Sequence, residues 1–231
     1  MKYDGIGFNL PLGWSGNLPS YLSEELPIRA FVLGCPDKIR FSGKLIEKMA
    51  SLEMLLLTKF DGIVRFEGST LRVLRITFGP GISFGEVPSL ATLAIRDSTP
   101  SLLREIGEKA KNVTSLELTA GSCTTLDGVE GLFGLKRLEL SYMKKLNSIS
   151  LLSRCPALEE LIIESVRNLT DLQSTLAKLS SLRVLRLLGC GSLENFDFLA
   201  DLNLETFACS RTKVASKKHP ALARIKSVYV Q

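Results

Sequence analysis

Residues 135–140 read LKRLEL, and the copies of this phrase on either side, residues 113–118 and 158–163, read VTSLEL and LEELII. The shared pattern is L-x-x-L-x-L, in which Ile, Val or Phe sometimes replaces Leu. It begins at ten positions along the chain: Ile28, Leu52, Leu71, Leu90, Val113, Leu135, Leu158, Leu182, Leu204 and Ile225. Successive copies start 19 to 24 residues apart, which indicates one structural unit repeated along the chain.

Each copy of the phrase predicts a short strand, because alternate side chains of a strand point to opposite faces of its sheet. The fourth and sixth positions then point inward, while the third, fifth and seventh point outward. The clearest inward pairs are Leu116 with Leu118, Leu138 with Leu140, Leu161 with Ile163, and Leu185 with Leu187. We expect the strands to stack as a parallel sheet over aliphatic columns, so that each copy is stabilised by its neighbours.

The phrase, its spacing and its ten copies resemble the leucine-rich-repeat family over roughly residues 26 to 231. The resemblance implies an α/β solenoid: a curved right-handed coil with a parallel concave sheet of about ten strands and a mixed helical and extended convex side. The ninth position of the repeat departs from the family, where it is usually Asn or Cys. Here it is Pro36, Phe60, Gly79, Ser98, Gly121, Met143, Val166, Cys190 and Thr212. We therefore expect the turns after the strands to be held by other means.

Copies of 22 to 24 residues have room for a helix on the return path, and three of them carry helix signals. Thr99-Pro100 supplies a capping residue and a proline at the first helical position. Thr170-Asp171-Leu172-Gln173 has the pattern of a capping box, in which side chains close the first turn of their own helix. Residues 42–49 carry an apolar stripe at helical spacing. The sequence predicts a helix at each of these places.

The two copies of 19 residues predict a different return path. They contain Gly79-Pro80-Gly81 and Gly85-Glu86-Val87-Pro88, where glycine and proline disfavour a helix. We therefore expect these two returns to be extended.

Residues 1–27 fall outside the repeat register and are punctuated by glycine and proline. A first repeat without a cover would expose its aliphatic column to water. We therefore interpret residues 1–27 as an N-terminal cap, with Trp14 over the first coil, and residues 28–231 as the solenoid. Cap and solenoid together are expected to form one domain.

The composition narrows the classes of partner and ligand. The chain has 29 Lys and Arg against 24 Asp and Glu, a net charge of +5, and the excess is not collected in one basic tract, so we do not expect nucleic acid to be its main partner. Five cysteines without a C-x-x-C pair, with a single histidine, predict reduced thiols and neither a metal site nor a cofactor. The N-terminus lacks a signal-peptide pattern and no apolar run reaches transmembrane length. We expect a cytoplasmic protein without a membrane contact.

A search for catalytic residues ends quickly. The single histidine, His219, sits in Lys217-Lys218-His219-Pro220 without a partner from a repeat. Cys123 lies on an expected turn and could be reactive. Gly5-Ile6-Gly7 lacks the remaining glycines of a phosphate loop. The sequence predicts that the protein is not an enzyme.

The outward positions of the strands carry the candidate binding residues, because the core does not constrain them. Glu117 and Glu139 are expected to be lateral neighbours, with Glu160 and Glu164 one strand further, which predicts an acidic centre that suits a basic partner. The alternative is a solvated face on which Arg137 neutralises Glu160. Ile162 and Leu188 predict an exposed apolar patch on the same face. The full set of candidate partner-binding residues also includes the outward arginines: Arg75, Arg96, Glu117, Arg137, Glu139, Glu160, Ile162, Glu164, Arg186 and Leu188.

Three functional hypotheses follow from the sequence. The first is a non-enzymatic protein-recognition module that binds a protein partner through its concave face, as an inhibitor, an immunity protein or an adaptor; an acidic face would fit a basic partner such as a nuclease toxin. This step is an analogy at the level of the fold. The second is a host-directed effector or receptor fragment of the same fold. The third is a weak nucleic-acid binder that uses Arg75, Arg96, Arg186 and Arg211. The oligomeric state is left open.

Overall fold

A computed structural model describes residues 29–40, 51–61, 64–68, 70–77, 79, 81–214 and 218–231. The expected N-terminal cap over residues 1–27 and the expected helix over residues 42–49 lie outside the described residues.

Ten strands form one parallel sheet in which each strand pairs with the next coil along the chain. They are β1 (Ala30–Arg40), β2 (Met54–Asp61), β4 (Val73–Thr77), β6 (Thr92–Ser98), β7 (Ser115–Gly121), β8 (Arg137–Ser141), β9 (Glu160–Glu164), β10 (Val184–Leu188), β12 (Thr206–Ser210) and β14 (Ser227–Val230). Each strand begins at the third position of one copy of the phrase and extends at least to the fifth. The predicted ten-stranded parallel sheet is therefore confirmed.

The return paths carry short helices. In the part of the chain that the structure describes, two are α-helices, α1 (Pro100–Lys109) and α2 (Leu172–Leu176). Four are single turns of 3-10 helix: η1 (Val129–Gly131), η2 (Ser150–Arg154), η3 (Asp197–Asp201) and η4 (Pro220–Arg224). Two further pairs of parallel strands lie on the same side, β3 (Val64–Phe66) with β5 (Ile82–Phe84), and β11 (Ser192–Leu193) with β13 (Lys213–Val214).

The strands pair position for position, so equivalent residues of successive copies lie side by side. Leu116 of β7 is opposite Leu138 of β8, which is opposite Leu161 of β9, and Leu161 is opposite Leu185 of β10. These side chains are fully buried, as are their partners at the sixth position. The inward columns predicted from the alternation are confirmed, and they form one continuous core with the first positions of the phrase.

The two short returns are extended, as expected from their glycines and prolines. β3 follows β2 and β5 follows β4, and the two strands pair in parallel. The rings of Phe66 and Phe84 lie on the core side with centroids 5.4 Å apart. An extended return needs fewer residues than a helical one to span the same distance, which explains why these copies have only 19 residues.

The predicted helix signals have two different outcomes. Thr99 caps α1 as expected, since its Oγ1 accepts a hydrogen bond from the Leu102 N–H. The capping box at residues 170–173 does not form, although α2 begins at Leu172. The Asp171 carboxylate instead accepts hydrogen bonds from the Ile149 and Ser150 N–H groups of the preceding coil. Asp171 therefore caps η2 rather than its own helix, because the stacked coil brings a second set of unsatisfied N–H groups within reach.

The turn after each central strand is a left-handed corner at the eighth position. Six successive coils share it, and five of the six residues are not glycine: Asp97, Ala120, Tyr142, Ser165, Gly189 and Arg211, with φ between 52° and 66°. Backbone hydrogen bonds join neighbouring corners, such as Tyr142 N–H to the Glu164 carbonyl at 2.8 Å. Cys190 Sγ lies 3.3 Å from the Ile163 carbonyl oxygen. The turns are thus held by backbone hydrogen bonds between adjacent coils. This agrees with the expectation that the turns are held by other means than an Asn or Cys at the ninth position.

Candidate functional site

The solvent side of the ten-stranded sheet, called the sheet face below, presents the third, fifth and seventh positions of each strand. Because the strands pair without an offset, these positions form three rows that run across the sheet. The fifth-position row contains Arg75, Ala94, Glu117, Glu139, Ile162 and Arg186, in that order. The geometry places all ten candidate residues from the sequence on this one face.

Arg137 is the centre of an ion-pair network on β8, β9 and β10. Its guanidinium donates to the Glu139 carboxylate at 2.7 Å and lies 3.3 Å from the Glu160 carboxylate on the next strand. Arg186 of β10 approaches Glu160 from the other side at 4.0 Å. The side chains of the two glutamates are less than a third exposed, so solvent screens these pairs only in part.

The two remaining glutamates of the face are also paired with arginine. Arg75 of β4 reaches across Ala94 of β6 to the Glu117 carboxylate of β7 at 3.2 Å. Glu164 lies 3.6 Å from the Arg211 guanidinium and accepts a hydrogen bond from the Tyr142 hydroxyl at 3.1 Å. Each glutamate of the expected acidic centre therefore has a cationic partner, either on the face or, for Glu164, at the adjoining corner residue Arg211.

The prediction of a locally acidic face is consequently wrong, while the alternative that Arg137 neutralises Glu160 is confirmed. The reason is the length of the arginine side chains. Adjacent strands are about 4.8 Å apart, and an extended arginine spans one or two such spacings. Arg75 thus neutralises Glu117 from two strands away, which a comparison of adjacent positions does not show. Glu117 and Glu139 do lie opposite each other as predicted.

The predicted apolar patch is only partly present. Ile162 is 6% exposed and therefore belongs to the buried residues, while Leu188 and Val184 are half-buried. The register partners of Ile162 are Glu139 and Arg186, two longer side chains that rise on either side of it. The prediction that Ile162 offers exposed apolar surface is wrong for this reason. Sequence reasoning did not single out the large hydrophobic residues that are exposed. Val32 and Tyr229 occupy outward fifth positions on the first and last strands, and the others are Phe133, Tyr142 and Val228.

A hollow opens in the sheet face over β2, β4, β6 and β7, with a volume of about 260 Å³. Ala94 lies at its base and is only 7% exposed, because the Arg75–Glu117 ion pair crosses above it. Arg96 and the hydroxyl residues Thr77 and Thr119 form one wall. Sequence reasoning missed this hollow.

The residues searched for catalysis are held in structural roles. Cys123, Cys155 and Cys190 are buried, and burial raises the pKa of Cys123, that of Cys155 to about 11 and that of Cys190 to about 12. A thiol with a raised pKa is a weak nucleophile at neutral pH, so the expectation of a reactive Cys123 is wrong. His219 Nδ1 accepts a hydrogen bond from the Ala221 N–H at 3.2 Å and thereby caps η4.

No group of three or more His, Cys, Asp or Glu side chains in the described ranges could hold a metal ion. No helix among these same residues has the length and apolar character that crossing a membrane requires.

The strands of the sheet coincide with the copies of the repeated phrase, and this match decides the fold class. Each described strand of the ten-stranded sheet begins at or near the third position of a copy of the phrase, and consecutive copies pair in parallel. The chain has the fold of a leucine-rich-repeat solenoid. The helices, 3-10 turns and short strand pairs follow the strands on the return paths, and the side that they form is called the convex side below.

Comparisons with known proteins found solved structures of low identity, two of which are described here. No family model matches the sequence. An internalin from Listeria monocytogenes shows 16% identity and a TM-score of 0.30, over 84% of this chain and 80% of the internalin chain. The plant peptide hormone receptor RGFR1, in complex with RGF2, shows 13% identity and a TM-score of 0.37, over 87% of this chain. The similarity spans 46% of the receptor chain, which is less than half of it.

Proposed function

We propose that this leucine-rich-repeat solenoid is a non-enzymatic protein-recognition module that binds a protein partner through its sheet face. The observation that carries the proposal is the ordered array of charged side chains from β4 to β10, which are held by one another and are not used by the core. Such side chains present hydrogen-bonding groups in fixed positions, which lowers the entropy lost when a partner binds.

The size of the sheet face fits a protein partner. Ten strands at about 4.8 Å spacing span roughly 43 Å, and five residues of about 3.3 Å span roughly 16 Å along each strand. The product is roughly 700 Å², which is close to the surface of about 800 Å² that each partner buries in a protein interface of standard size. A small molecule would leave most of such a face uncovered.

The charge pattern favours a polar partner surface of mixed sign. A strongly basic partner, such as a nuclease toxin, would have to displace Arg75 or Arg137 from their glutamates before it gained ion pairs of its own. A nucleic acid meets the same obstacle, because Arg75, Arg186 and Arg211 are already within 4.0 Å of carboxylates. We therefore keep protein recognition as the proposal and do not favour nucleic-acid binding.

The sheet face suits an inhibitor, an immunity protein or an adaptor, because each of these roles needs only the occupation of a partner's surface. No feature of the described residues favours a host-directed effector or a receptor fragment over these roles.

We also infer that the protein works in a reducing compartment such as the cytoplasm. The support is the state of Cys123, Cys155 and Cys190, which lie buried in the core as thiols. A titration of thiols in denatured protein, quenched with acid directly from cells, should find these cysteines reduced. Oxidised cysteines at these positions would contradict the inference.

The experiment for the proposed function compares two matched arginines. Arg186 lies on the sheet face and pairs with Glu160, while Arg104 lies on α1 and pairs with Asp127 at 3.3 Å. Both are exposed and each takes part in one ion pair. A partner is captured with the wild-type chain from cells that encode it, and its affinity is then measured for Arg186→Glu and Arg104→Glu.

We expect Arg186→Glu to weaken the complex by about tenfold or more, and Arg104→Glu to change it by no more than about twofold. Thermal unfolding of both variants serves as the control for folding. A captured protein that binds Arg186→Glu as well as the wild type and loses affinity for Arg104→Glu would show that the binding face is the convex side.

A further inference from the structure

One arginine of the sheet face differs from the others in its pairing. Arg75, Arg137, Arg186 and Arg211 all lie within 4.0 Å of a glutamate carboxylate. Arg96, at the seventh position of β6, is exposed and has no ion pair among the side chains that the structure describes. Its charge is therefore available to a group outside the chain.

The neighbours of Arg96 are hydroxyl side chains. Thr77 of β4 and Thr119 of β7 are its register partners on the two adjacent strands. Both are half-buried, and neither hydroxyl makes a hydrogen bond with another of the described residues. A guanidinium between two available hydroxyl donors forms a row of donors about 10 Å long, given the spacing of adjacent strands.

The hollow beside this row gives the donors a place to act. It has a volume of about 260 Å³ and is lined by Arg75, Arg96 and Glu117 together with the threonines. This volume is below the range of about 300 to 1,000 Å³ that is typical of pockets for small molecules. The hollow is therefore suited to a side chain that projects from a larger surface.

We propose that the hollow beside Arg96 receives an aspartate or glutamate side chain of the protein partner. The carboxylate pairs with the Arg96 guanidinium and accepts a hydrogen bond from one of the two flanking hydroxyls, that of Thr77 or that of Thr119. The inference rests on the proposed function, since it assumes that the sheet face binds a protein, and it adds the chemistry of one contact.

The charge of the hollow favours a carboxylate over a phosphate. Arg75 and Arg96 contribute two positive charges and Glu117 one negative charge, so a single negative charge neutralises the hollow. A phosphate monoester carries a charge between about −1.5 and −2 near neutral pH and would leave a negative excess beside Glu117. A carboxylate carries a single charge, and its two oxygens can take the bidentate arrangement that arginine favours.

The test uses peptides selected on the full chain. A displayed library of random peptides is enriched on immobilised wild-type protein, and the bound peptides are sequenced. For each of the strongest binders, three synthetic versions are compared by titration: the selected peptide, the peptide with its Asp or Glu changed to Asn or Gln, and the peptide with phosphoserine at that position. Each version is measured on the wild type, on Arg96→Gln and on Arg104→Gln as the matched control.

We expect an acidic residue to be enriched, and its amide version to bind the wild type about tenfold more weakly, because a hydrogen bond to a charged group contributes at least that factor. On Arg96→Gln the acidic and amide versions should bind equally, while Arg104→Gln should behave as the wild type.

Several outcomes would overturn the inference. If no acidic residue is enriched, or if the acidic and amide versions bind equally to the wild type, the carboxylate contact does not exist. If the phosphoserine version binds more tightly and depends on Arg96, the hollow is a phosphate site. In these cases the proposed function stands as long as Arg186→Glu weakens the same peptides. If the peptides respond to Arg104 and to no residue of the sheet face, both proposals are wrong.

Discussion

The early coils, from β2 to β6, and the central coils, from β7 to β12, use the same strand geometry but differ on both sides of the sheet. In the early coils the returns after β2 and β4 are extended, a hollow lies beside Arg96, and Arg96 has no ion pair within the described ranges. In the central coils each return contains a helical turn, Ile162 takes the row position of Ala94, and the charges are paired. The number of charges on a sheet face thus says less about binding than whether neighbouring rows neutralise them.

The packing of the returns gives the largest expected difference between the two regions. Gly128, at the start of η1, has φ +107°, and a Cβ there would lie 2.3 Å from the Leu103 carbonyl oxygen of α1. Gly68 in the early coils also has positive φ, but a Cβ there would meet nothing within 4 Å. We expect Gly128→Ala to lower the free energy of unfolding by about 3 kcal/mol or more, through strain and overpacking together.

Gly68→Ala is the control, with an expected loss of about 1 kcal/mol from backbone strain alone. Urea denaturation of both variants measures the difference. Equal losses would mean that the close contact between α1 and η1 does not limit the stability of the central coils.

The ion pairs give the next largest difference. Arg137→Gln leaves Glu139 and Glu160 without their principal cation, so we expect a loss of about 1 kcal/mol, at the upper end for partly exposed pairs. Arg96→Gln should stay within about 0.5 kcal/mol of the wild type, as for a surface substitution without a partner. Thermal unfolding at low and high salt measures both. If Arg96→Gln proves the more costly, Arg96 has an internal role and the contrast between the two regions fails.

The left-handed corners give the smallest effect. Ala120 has φ 60°, a conformation that costs an alanine more than a glycine. Ala120→Gly should therefore raise the free energy of unfolding by about 0.5 kcal/mol, since relief of strain exceeds the added entropy of the unfolded chain. Ala200→Gly in η3 is the control and should destabilise by a similar amount. A loss of stability in Ala120→Gly would mean that its methyl contacts outweigh the strain.

Most of the fold could be predicted from the sequence, because each copy of the phrase shows the same alternation of inward and outward side chains. The burial of Leu116 and Leu138 follows from alternation within one strand, and the extended return after Gly79 follows from local backbone preferences. The capping by Asp171 could not be found in this way, since the carboxylate binds N–H groups more than 20 residues away. A local motif and a contact between coils competed for the same side chain, and the contact between coils prevailed.

The position of the candidate site could be predicted from the sequence, but the pairing of its charges could not. Alternation placed Glu117, Glu139 and Glu160 on one face, and the register confirmed their order. Their neutralisation depends on arginine side chains that cross one or two strands, as Arg75 crosses Ala94. Contacts of this kind depend on how the coils stack, and the periodicity of the sequence does not reveal them.

Arginine footprinting tests the central claim most directly. Phenylglyoxal labels exposed arginines, and mass spectrometry measures the labelling of each one in the free protein and in the complex with its partner. We expect the partner to protect Arg96 and Arg186 on the sheet face and to leave Arg104 and Arg154 on the convex side as reactive as before. Protection of Arg104 and Arg154, with Arg96 and Arg186 still labelled, would contradict the claim that the sheet face is the binding surface.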